Sequence, residues 1–421
     1  MRFEHFEWRG AGETATALRA WALNSAVSVD VTAIEREVIE GGDQALMRLT
    51  ERFDATERPP GSLRIEKGEA VRALEGTEAG LRAAMELAAA NVRIVAEAQI
   101  GQERQEVELP QGHTVSVREV SVGAGGVYAP GGRAAYPSSV LMCCIPARVA
   151  GVKRLVLASP PRPDGSLDPL VLAAAALCEV DEIYAIGGAQ AIFALAHGTE
   201  TVAAVDVIAG PGNAWVREAK RAVYGRVGID SLAGPSELML IAGHDTDPEW
   251  AALDLCAQAE HGADSPLVAV AVEEAVLDAI EEATGRVAAE RSDLGEVALA
   301  LVQVPDLADG IDLANAFAPE HLELLEEDAA LLAERVRTAG CVFAGRNGAT
   351  AFGDYVAGSN HVLPTGGAGR FSGPLGPGAF RRKITTVSIP GGAASRLAPY
   401  VDLLAQAEGF PIHGESAMIR R

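Results

Sequence analysis

Residues 206–223 read DVIAGPGNAWVREAKRAV, a short apolar run, a glycine turn and an amphipathic segment in succession. This pattern predicts a strand over 206–209, a turn over 210–213 and a helix over 214–223. Further apolar runs of this length predict buried strands at 155–158, 182–186, 238–241, 267–272, 298–304 and 342–344. Helices such as 248–258 fit between them, and strands alternating with helices indicate parallel sheets with helices on both faces. We therefore predict an α/β fold with enough strands for two such units.

The two ends of the chain differ from this middle part. The first hundred residues are predicted to be mostly helical, over 31–54 and over 66–98. Residues 104–122 alternate apolar and polar side chains around a turn, which predicts a β-hairpin. Residues 366–378 are rich in glycine and proline and are interpreted as a linker into a C-terminal extension.

The composition restricts the possible partners. The chain has 421 residues and a formal net charge of −23, from 35 Lys and Arg against 58 Asp and Glu. Such an acidic surface repels phosphate backbones and anionic lipids, so neither nucleic acid nor a membrane is an expected partner. We find no apolar run of transmembrane length and no apolar signal-peptide core near the N-terminus. The five cysteines lack CxxC spacing and are expected to be reduced thiols of a cytoplasmic protein.

Glycine turns raise the question of a nucleotide cofactor. The chain contains neither a Gly-x-Gly-x-x-Gly fingerprint nor a Walker A sequence. Three glycine turns nevertheless follow predicted strands, at 125–132, 187–190 and 210–213. A strand, a glycine turn and a helix N-terminus present backbone N–H groups to an anion, at the edge where open sheets bind ligands. The alternative is that these glycines only make tight turns, and the residues alone leave both interpretations open.

Five short segments of the C-terminal half combine metal-binding and proton-transferring side chains. They are Gln258-Ala259-Glu260-His261, Ala318-Pro319-Glu320-His321, Gly353-Asp354-Tyr355, Asn360-His361, and a tail with Glu408 and His413. A Gln, two His and an Asp are the neutral nitrogen and hard oxygen donors that a borderline divalent ion accepts. Gln258 and His261, at positions i and i+3 near the end of a predicted helix, share a face. The adjacent Glu320 and His321 suit proton transfer near neutral pH.

Each of these residues also has a structural interpretation that requires neither a metal nor catalysis. A lone histidine is more often a surface or hydrogen-bonded residue than a ligand. That interpretation is applied to four histidines outside the segments, His5, His113, His197 and His244. Glu320 could be a helix N-terminal acid and Asp354 an ordinary turn residue. His413 reaches such a site only if the tail folds back or crosses to a partner subunit.

The same segments, together with several others, resemble the histidinol dehydrogenase family over nearly the whole chain. In the N-terminal half the matching blocks are residues 42–46, 52–54, 126–132 and 136–142. In the C-terminal half they are 210–213, 227–230, 233–237, 318–323, 353–355 and 361–365. By so many ordered blocks the chain is identified as a member of that family. The family oxidises L-histidinol to L-histidine through histidinal, the last step of histidine biosynthesis, with two NAD and one zinc per subunit.

This resemblance implies a metal centre and two catalytic groups. The expected zinc ligands, besides the substrate's amine and imidazole, are Gln258, His261, Asp354 and His413. In the family the last of these comes from the other subunit of a homodimer. His321 is expected to remove the hydroxyl proton as general base in both oxidations, and Glu320 to activate the water that attacks the aldehyde. Zinc has no redox role, so it fixes and polarises the substrate while NAD takes the hydride.

The resemblance also implies the substrate and cofactor contacts. The residues of the metal centre and the catalytic pair are expected to face the substrate, together with Ser236, His361 and Glu408. The NAD contacts are expected at Tyr128, Gln190 and Asn213. They lie on an incomplete Rossmann-like domain, which accounts for the missing glycine fingerprint. Residues 347–352 and 373–378 depart from the family's pattern.

We therefore predict two incomplete Rossmann-like parallel-sheet domains with an N-terminal helical arm and a C-terminal extension. The arm is residues 1–24, and the larger domain, with the metal and catalytic residues, is 25–122 and 238–372. The NAD-binding domain is 123–237, and the extension, exchanged in the dimer, is 373–421. Three other functions stay open: a related zinc and NAD dehydrogenase of another amino alcohol or diol, a zinc hydrolase with Glu320 as base, and a non-catalytic metal-binding protein.

Overall fold

The computed structural model describes residues 1–23, 29–54, 63–131, 135–262, 264–291, 294 and 297–421. The strands are β1 (Arg2–Phe6), β2 (Arg64–Ile65), β3 (Arg104–Glu108), β4 (Thr114–Ser121), β5 (Ala124–Tyr128), β6 (Arg154–Ser159), β7 (Glu182–Ala185), β8 (Val207–Ala209), β9 (Gly228–Ile229), β10 (Leu238–Ala242), β11 (Leu267–Ala271), β12 (Ala298–Gln303), β13 (His321–Leu325), β14 (Cys341–Ala344) and β15 (Arg381–Ser388).

The helices are α1 (Ala11–Leu23), α2 (Thr32–Asp54), α3 (Lys67–Glu75), α4 (Ala79–Ala98), α5 (Pro137–Val149), α6 (Pro169–Leu177), α7 (Gly188–His197), α8 (Ala214–Val223), α9 (Pro248–Ala259), α10 (Glu274–Ala289), α11 (Leu307–Phe317), α12 (Ala329–Ala333), α13 (Thr350–Tyr355), α14 (Gly391–Ala407) and α15 (Pro411–Met418). In the described part of the chain, none of these helices is both long and apolar enough to cross a membrane. The segment predicted to be a linker has only short 3-10 turns, at Ala368–Arg370 and Pro377–Phe380.

The first sheet is parallel throughout and has the order β1-β12-β11-β10-β13-β14. Apart from β1, this is the 3-2-1-4-5 order of a doubly wound fold, in which the strand order reverses between β10 and β13. Helices α9 and α10 cover one face of the sheet, and α1 and α11 cover the other. Because both faces are covered, β10 and β11 are buried at every residue, which explains why their sequences are continuous apolar runs.

The second sheet has the order β2-β7-β6-β5-β8-β9, and only β2 runs antiparallel to its neighbour among the described strands. Its five parallel strands again follow the 3-2-1-4-5 order, with the reversal between β5 and β8. Helices α2, α7 and α8 cover one face, and α3 to α6 cover the other. The predicted α/β class and both Rossmann-like units are confirmed, and every strand predicted from an apolar run is present.

The C-terminal extension joins the predicted hairpin. Strands β3 and β4 pair antiparallel as expected, and β15 adds a third strand along the other edge of β4. Helices α14 and α15 then pack on each other. They leave a set of large apolar side chains exposed, namely Tyr400, Leu403, Leu404, Phe410, Ile412 and Ile419.

Three features differ from the sequence expectation. Residues 1–24 are predicted as a helical arm, but Arg2–Phe6 forms β1, because pairing with β12 stabilises a short segment whose own apolar pattern is weak. The single helix predicted over 66–98 is two helices, because Glu78 caps the start of α4 by accepting from the N–H groups of Gly80 and Leu81.

The third difference concerns the segment from α2 to α4. The predicted division places residues 25–122 with 238–372, whereas α2, α3 and α4 pack against α7, α6 and α5 of the second sheet. An amphipathic pattern shows that a helix has an apolar face, but it does not show which sheet receives that face. The exact domain boundaries stay a prediction.

Candidate active site

Seven of the predicted site residues converge in the described structure. We call this set the candidate cluster: Ser236, Gln258, His261, Glu320, His321, Asp354 and His361. It lies at the amino ends of β10 and β13, where the strand order of the first sheet reverses. His321 is the first residue of β13 and pairs in register with Leu238. The alternative interpretation of Glu320 as a helix N-terminal acid is therefore wrong, because a strand follows it.

The backbone of Glu237 contacts the side chains of both Glu320 and His321. Its N–H donates to Oε2 of Glu320 over 2.8 Å, and its carbonyl oxygen lies 3.1 Å from Nδ1 of His321. A carbonyl oxygen only accepts, so Nδ1 carries the ring proton and the lone pair lies on Nε2. That Nε2 lies 4.0 Å from Oδ1 of Asp354. His321 thus presents a proton acceptor toward the middle of the candidate cluster.

Burial changes the pKa values of Glu320 and His321 in opposite directions. It lowers the pKa of His321 to about 4, against a smaller opposing effect of the Asp354 charge, so the ring is neutral at neutral pH. Burial also raises the pKa of Glu320 well above its usual range, against hydrogen bonds from Ser236 and from the Glu237 N–H. The neutral imidazole has a free lone pair and the carboxylate of raised pKa holds a proton more tightly than usual, so each group can accept a proton from a reacting group.

Gln258 lies in the last turn of α9, and only one of its two amide atoms has a hydrogen-bond partner among the described residues. Its Nε2 donates to Oγ of Ser236 over 2.6 Å, and that hydroxyl donates to Oε2 of Glu320 over 2.6 Å. Its Oε1 is buried and has no hydrogen-bond partner among the described residues. A buried oxygen without a partner is costly unless a ligand satisfies it, so Oε1 is available to a metal ion.

His261 and Asp354 bring the other two metal-type donors together. His261 follows the end of α9, Asp354 lies in α13, and their Nε2 and Oδ2 atoms are 3.9 Å apart. Burial acts to raise the pKa of Asp354, but a hydrogen bond from His261 and the rings of His321 and His361 outweigh it and lower the pKa. An amide oxygen, an imidazole and an ionised carboxylate fit a divalent ion such as zinc.

His361 joins the candidate cluster through Asp354 and also contacts a residue outside the predicted set. Its Nδ1 lies 3.1 Å from the carbonyl oxygen of Asp354, and its Nε2 lies 3.1 Å from Oγ of Ser139. Ser139 is buried in the first turn of α5. Its only sequence signal is its place in the matching block 136–142, because the contact joins residues more than two hundred positions apart.

Glu408 and His413 are not part of the candidate cluster. Glu408 ends α14 and His413 lies in α15, and both side chains are exposed. Nor do the described residues of this single chain contain a group of three His, Cys, Asp or Glu side chains placed to hold a metal. The donors brought together here are therefore Gln258, His261 and Asp354, which leaves room for a further ligand.

A cavity of about 800 Å³ opens at the carboxyl ends of the strands in the second sheet. It is lined by all three predicted NAD contacts, Tyr128, Gln190 and Asn213. Tyr128 ends β5, and its hydroxyl accepts from the N–H of Gly188 over 3.1 Å. Asn213 caps α8 with its side-chain oxygen. Open α/β sheets bind ligands at this edge, which favours the binding interpretation of the glycine turns.

Asp54 lines the same cavity, although its only sequence signal is the matching block 52–54. It lies at the end of α2 and accepts a hydrogen bond from the N–H of Gly187. Burial raises its pKa to about 6. Ala135 also lines the cavity, and it lies four residues before Ser139, which contacts His361.

Three of the four histidines outside the predicted site pair with a carboxylate elsewhere in the described structure. Nε2 of His5 lies 2.9 Å from Oε2 of Glu281, and Nε2 of His197 lies 2.9 Å from Oε1 of Glu35. Nδ1 of His244 lies 3.1 Å from Oε1 of Glu273. His113 lies beside the turn between β3 and β4. The interpretation of these four as structural or surface residues agrees with their positions.

Comparisons with known proteins agree with this geometry. The chain matches the family model described as histidinol dehydrogenase over residues 19–421. The histidinol dehydrogenase of Zymomonas mobilis is 45% identical over 401 residues, which cover 94% of this chain and 93% of that protein. That of Nitrosomonas europaea is 43% identical over 410 residues, 95% of this chain and 94% of that protein. A solved structure of histidinol dehydrogenase from Elizabethkingia anophelis has a TM-score of 0.91 at 29% identity, covering 100% of this chain and 98% of that one.

Proposed function

The chain belongs to the histidinol dehydrogenase family, and we propose that it oxidises L-histidinol to L-histidine through histidinal with NAD and zinc, the last step of histidine biosynthesis. The observation that carries this proposal is the position of His321, whose basic Nε2 lies 4.0 Å from a carboxylate of the metal-type donor set. A base and a metal-type donor set at one point are what alcohol oxidation by hydride transfer requires.

We assign Gln258, His261 and Asp354 as zinc ligands. The partnerless Oε1 of Gln258 supports the assignment, because the neighbouring Nε2 is already committed to Ser236. When bound, zinc fixes the substrate and polarises its alcohol oxygen. The chemistry of proton transfer is then left to the protein's own side chains.

In each oxidation the substrate loses a hydride to NAD and a proton to the protein. Nε2 of His321 takes the hydroxyl proton, and the Nδ1–H bond to the Glu237 carbonyl stabilises the imidazolium that forms. Glu320 takes a proton from the water that attacks the aldehyde, and its raised pKa makes it a stronger base for that step. His321 releases the proton of the first oxidation before the second begins. The anion of the hydrated aldehyde then loses a hydride to a second NAD and its remaining hydroxyl proton to His321, which gives the carboxylate.

The rival functions are less well supported. A zinc hydrolase with Glu320 as base has no use for the cavity at the second sheet, which is lined by Tyr128, Gln190 and Asn213. A dehydrogenase of another amino alcohol or diol fits the same geometry except at the substrate end. There His361 and Glu408 suit an imidazole and an amine, so we assign them to histidinol.

We further propose that the protein acts as a homodimer in which Glu408 and His413 serve the partner subunit's site. Both residues lie on the helices α14 and α15, whose large apolar side chains are exposed in the single chain. Covering that surface with a second copy would bury apolar area and could bring His413 to the incomplete donor set. All five cysteines are free thiols, which supports a cytoplasmic location.

The test is NADH formation from L-histidinol by the protein as purified, after chelation and after zinc is restored. We expect two NADH per histidinol, lost on chelation and recovered with zinc. If zinc-loaded protein makes no NADH from histidinol but oxidises another amino alcohol or diol, the substrate assignment is wrong. Ester or amide hydrolysis without NADH formation would instead favour the hydrolase.

A further inference from the structure

We propose that Arg19 is a positioning residue of the active site, which keeps Glu320 and His321 in place. It touches neither of them directly. It acts through Glu237, whose backbone contacts both side chains, and through the turn that precedes Glu320. This inference rests on the function proposed above.

The guanidinium of Arg19 donates to two segments at once. Its Nη1 and Nη2 donate to the two carboxylate oxygens of Glu237, with 3.0 Å between Nη2 and Oε2. Its Nε and Nη2 donate to the carbonyl oxygen of Phe317 over 2.9 and 2.7 Å, and Nη2 also donates to that of Ala318 over 2.8 Å. The group lies over the Phe317 ring, 3.6 Å from its centroid. Only the planar fork of an arginine can make this set of contacts.

The first of these segments holds the catalytic side chains by its backbone. The Glu237 carboxylate is buried, and it also accepts from the N–H of Gly366 over 3.0 Å. With its side chain held on both oxygens, Glu237 cannot rotate freely about its own backbone. Its N–H therefore stays on Glu320, and its carbonyl oxygen stays on Nδ1 of His321.

The second segment leads directly into the catalytic pair. Phe317 ends α11, and Ala318 takes a left-handed conformation with φ of 56°, which is unfavourable for a residue with a side chain. The last carbonyl groups of a helix have no partner within the helix. Arg19 supplies one to both Phe317 and Ala318, which lie three and two residues before Glu320. The turn that sets the entry of β13 is thereby fixed.

Stability alone does not account for this arrangement. Replacing a buried ion pair by apolar residues is often neutral or stabilising, so such a pair is weak evidence for a purely stabilising role. Arg154 provides a matched comparison at the amino end of β6, far from the cavity edge. It donates to Glu182 over 2.7 Å and to the carbonyl oxygens of Ala203 and Ala204 over 2.8 and 3.0 Å.

The experiment compares Arg19→Lys with Arg154→Lys in zinc-loaded protein. Lysine keeps the charge but cannot bridge both segments, so kcat for histidinol and for histidinal should fall about ten- to a hundredfold in Arg19→Lys. KM for histidinol and for NAD should change by less than about threefold, and zinc content should stay at the wild-type level, because the ligands are untouched. Arg154→Lys should lower Tm by about as much as Arg19→Lys does, but it should leave kcat unchanged.

A second variant keeps the inference testable if Arg19→Lys folds poorly. Glu237→Gln keeps the backbone of residue 237 and the shape of its side chain but weakens the grip of the guanidinium. We expect a smaller loss of kcat, again with KM nearly unchanged. A kcat within twofold of wild type in either folded variant overturns the inference, whatever happens to Tm. If the wild-type protein itself makes no NADH from histidinol, the proposed function fails instead.

Discussion

Nδ1 of His321 lies 3.1 Å from the backbone carbonyl oxygen of Glu237, and this contact decides which ring nitrogen is basic. The carbonyl oxygen can only accept, so the proton stays on Nδ1 and Nε2 faces the substrate side. A substitution of the Glu237 side chain leaves this backbone carbonyl oxygen in the protein. The orientation of the His321 ring, which we propose as the general base, is therefore fixed by the backbone just before β10.

Changing His321 to Asn should impair both oxidations. Asparagine can still donate to the Glu237 carbonyl, but it cannot accept a proton near neutral pH, so the rate of each step should fall about 10²- to 10⁴-fold. NADH formation is measured separately from histidinol and from histidinal. His244→Asn, at an exposed histidine paired with Glu273, is the control and should behave as wild type. Normal histidinal oxidation in the His321 variant would contradict the assignment.

Changing Glu320 to Gln should slow mainly the second oxidation. The amide oxygen can still accept from Ser236 and from the Glu237 N–H, so the shape of the site is kept. The water that attacks histidinal loses its base, and NADH formation from histidinal should fall about 10²-fold or more. NADH formation in the first step, measured as a pre-steady-state burst from histidinol, should fall much less. Unchanged turnover of histidinal in this variant would exclude a role for Glu320 as the base.

Changing His261 to Asn should weaken zinc binding without unfolding the protein. His261 is partly exposed and is one of three donors brought together in the chain, so its loss removes a ligand and little packing. We expect a lower zinc content after dialysis and a greater loss of activity at a given chelator concentration. His5→Asn, whose ring pairs with Glu281 on the surface, should keep the wild-type zinc content. Equal zinc contents in the two variants would remove His261 from the ligand set.

Mixing two inactive variants tests whether His413 serves the partner. His413→Asn and His321→Asn subunits, combined in equal amounts and allowed to exchange, form half of the dimers as hybrids. In each hybrid one site receives an intact His321 and the partner's intact tail. Activity should recover to about a quarter of wild type. If His413 acts on its own chain, the mixture stays inactive.

Changing Asp54 to Asn should raise stability at neutral pH. Burial raises the pKa of Asp54 to about 6 in the folded protein, against about 4 in an unfolded chain. This group therefore favours the folded state at low pH, and that contribution is lost as pH rises through about 6. Asparagine stays neutral and can still accept from the Gly187 N–H.

The gain in Tm over wild type should therefore grow between about pH 4 and pH 6 and level off above it. It is measured by thermal unfolding across that range. Asp245→Asn, at an exposed loop position, is the control and should show no such trend. A constant difference in Tm at every pH would mean that the Asp54 charge does not govern the effect.

The elements that the sequence predicts well are those with a local signal. Strands such as β10 and β11 are apolar at every position because both faces of their sheet are covered, and α8 begins directly after its capping residue Asn213. The candidate cluster is likewise anticipated by short, specific motifs such as Ala318-Pro319-Glu320-His321. Their side chains are the reactive ones, so their chemistry is visible in the sequence.

The features that the sequence does not predict depend on contacts between distant segments. β1 is a strand only because β12 lies beside it, and Ser139 reaches His361 only because α5 begins next to the candidate cluster. The role of Glu237 is carried by its backbone, which has no side-chain signature. Arg19 lies 218 positions from Glu237 and appears in the sequence as an ordinary helical residue. Such relationships require the folded chain.

The partnerless oxygen of Gln258 also has a thermodynamic consequence. A metal ion that satisfies it binds the folded chain and not the unfolded one, so occupancy and folding are linked equilibria. A ligand at a hundred times its Kd adds about 2.7 kcal/mol to the free energy of unfolding. The melting temperature should therefore rise with free zinc concentration, with neither substrate nor NAD present. The melting temperature would therefore report the free zinc concentration, and the metal-free chain would be the form that unfolds most readily.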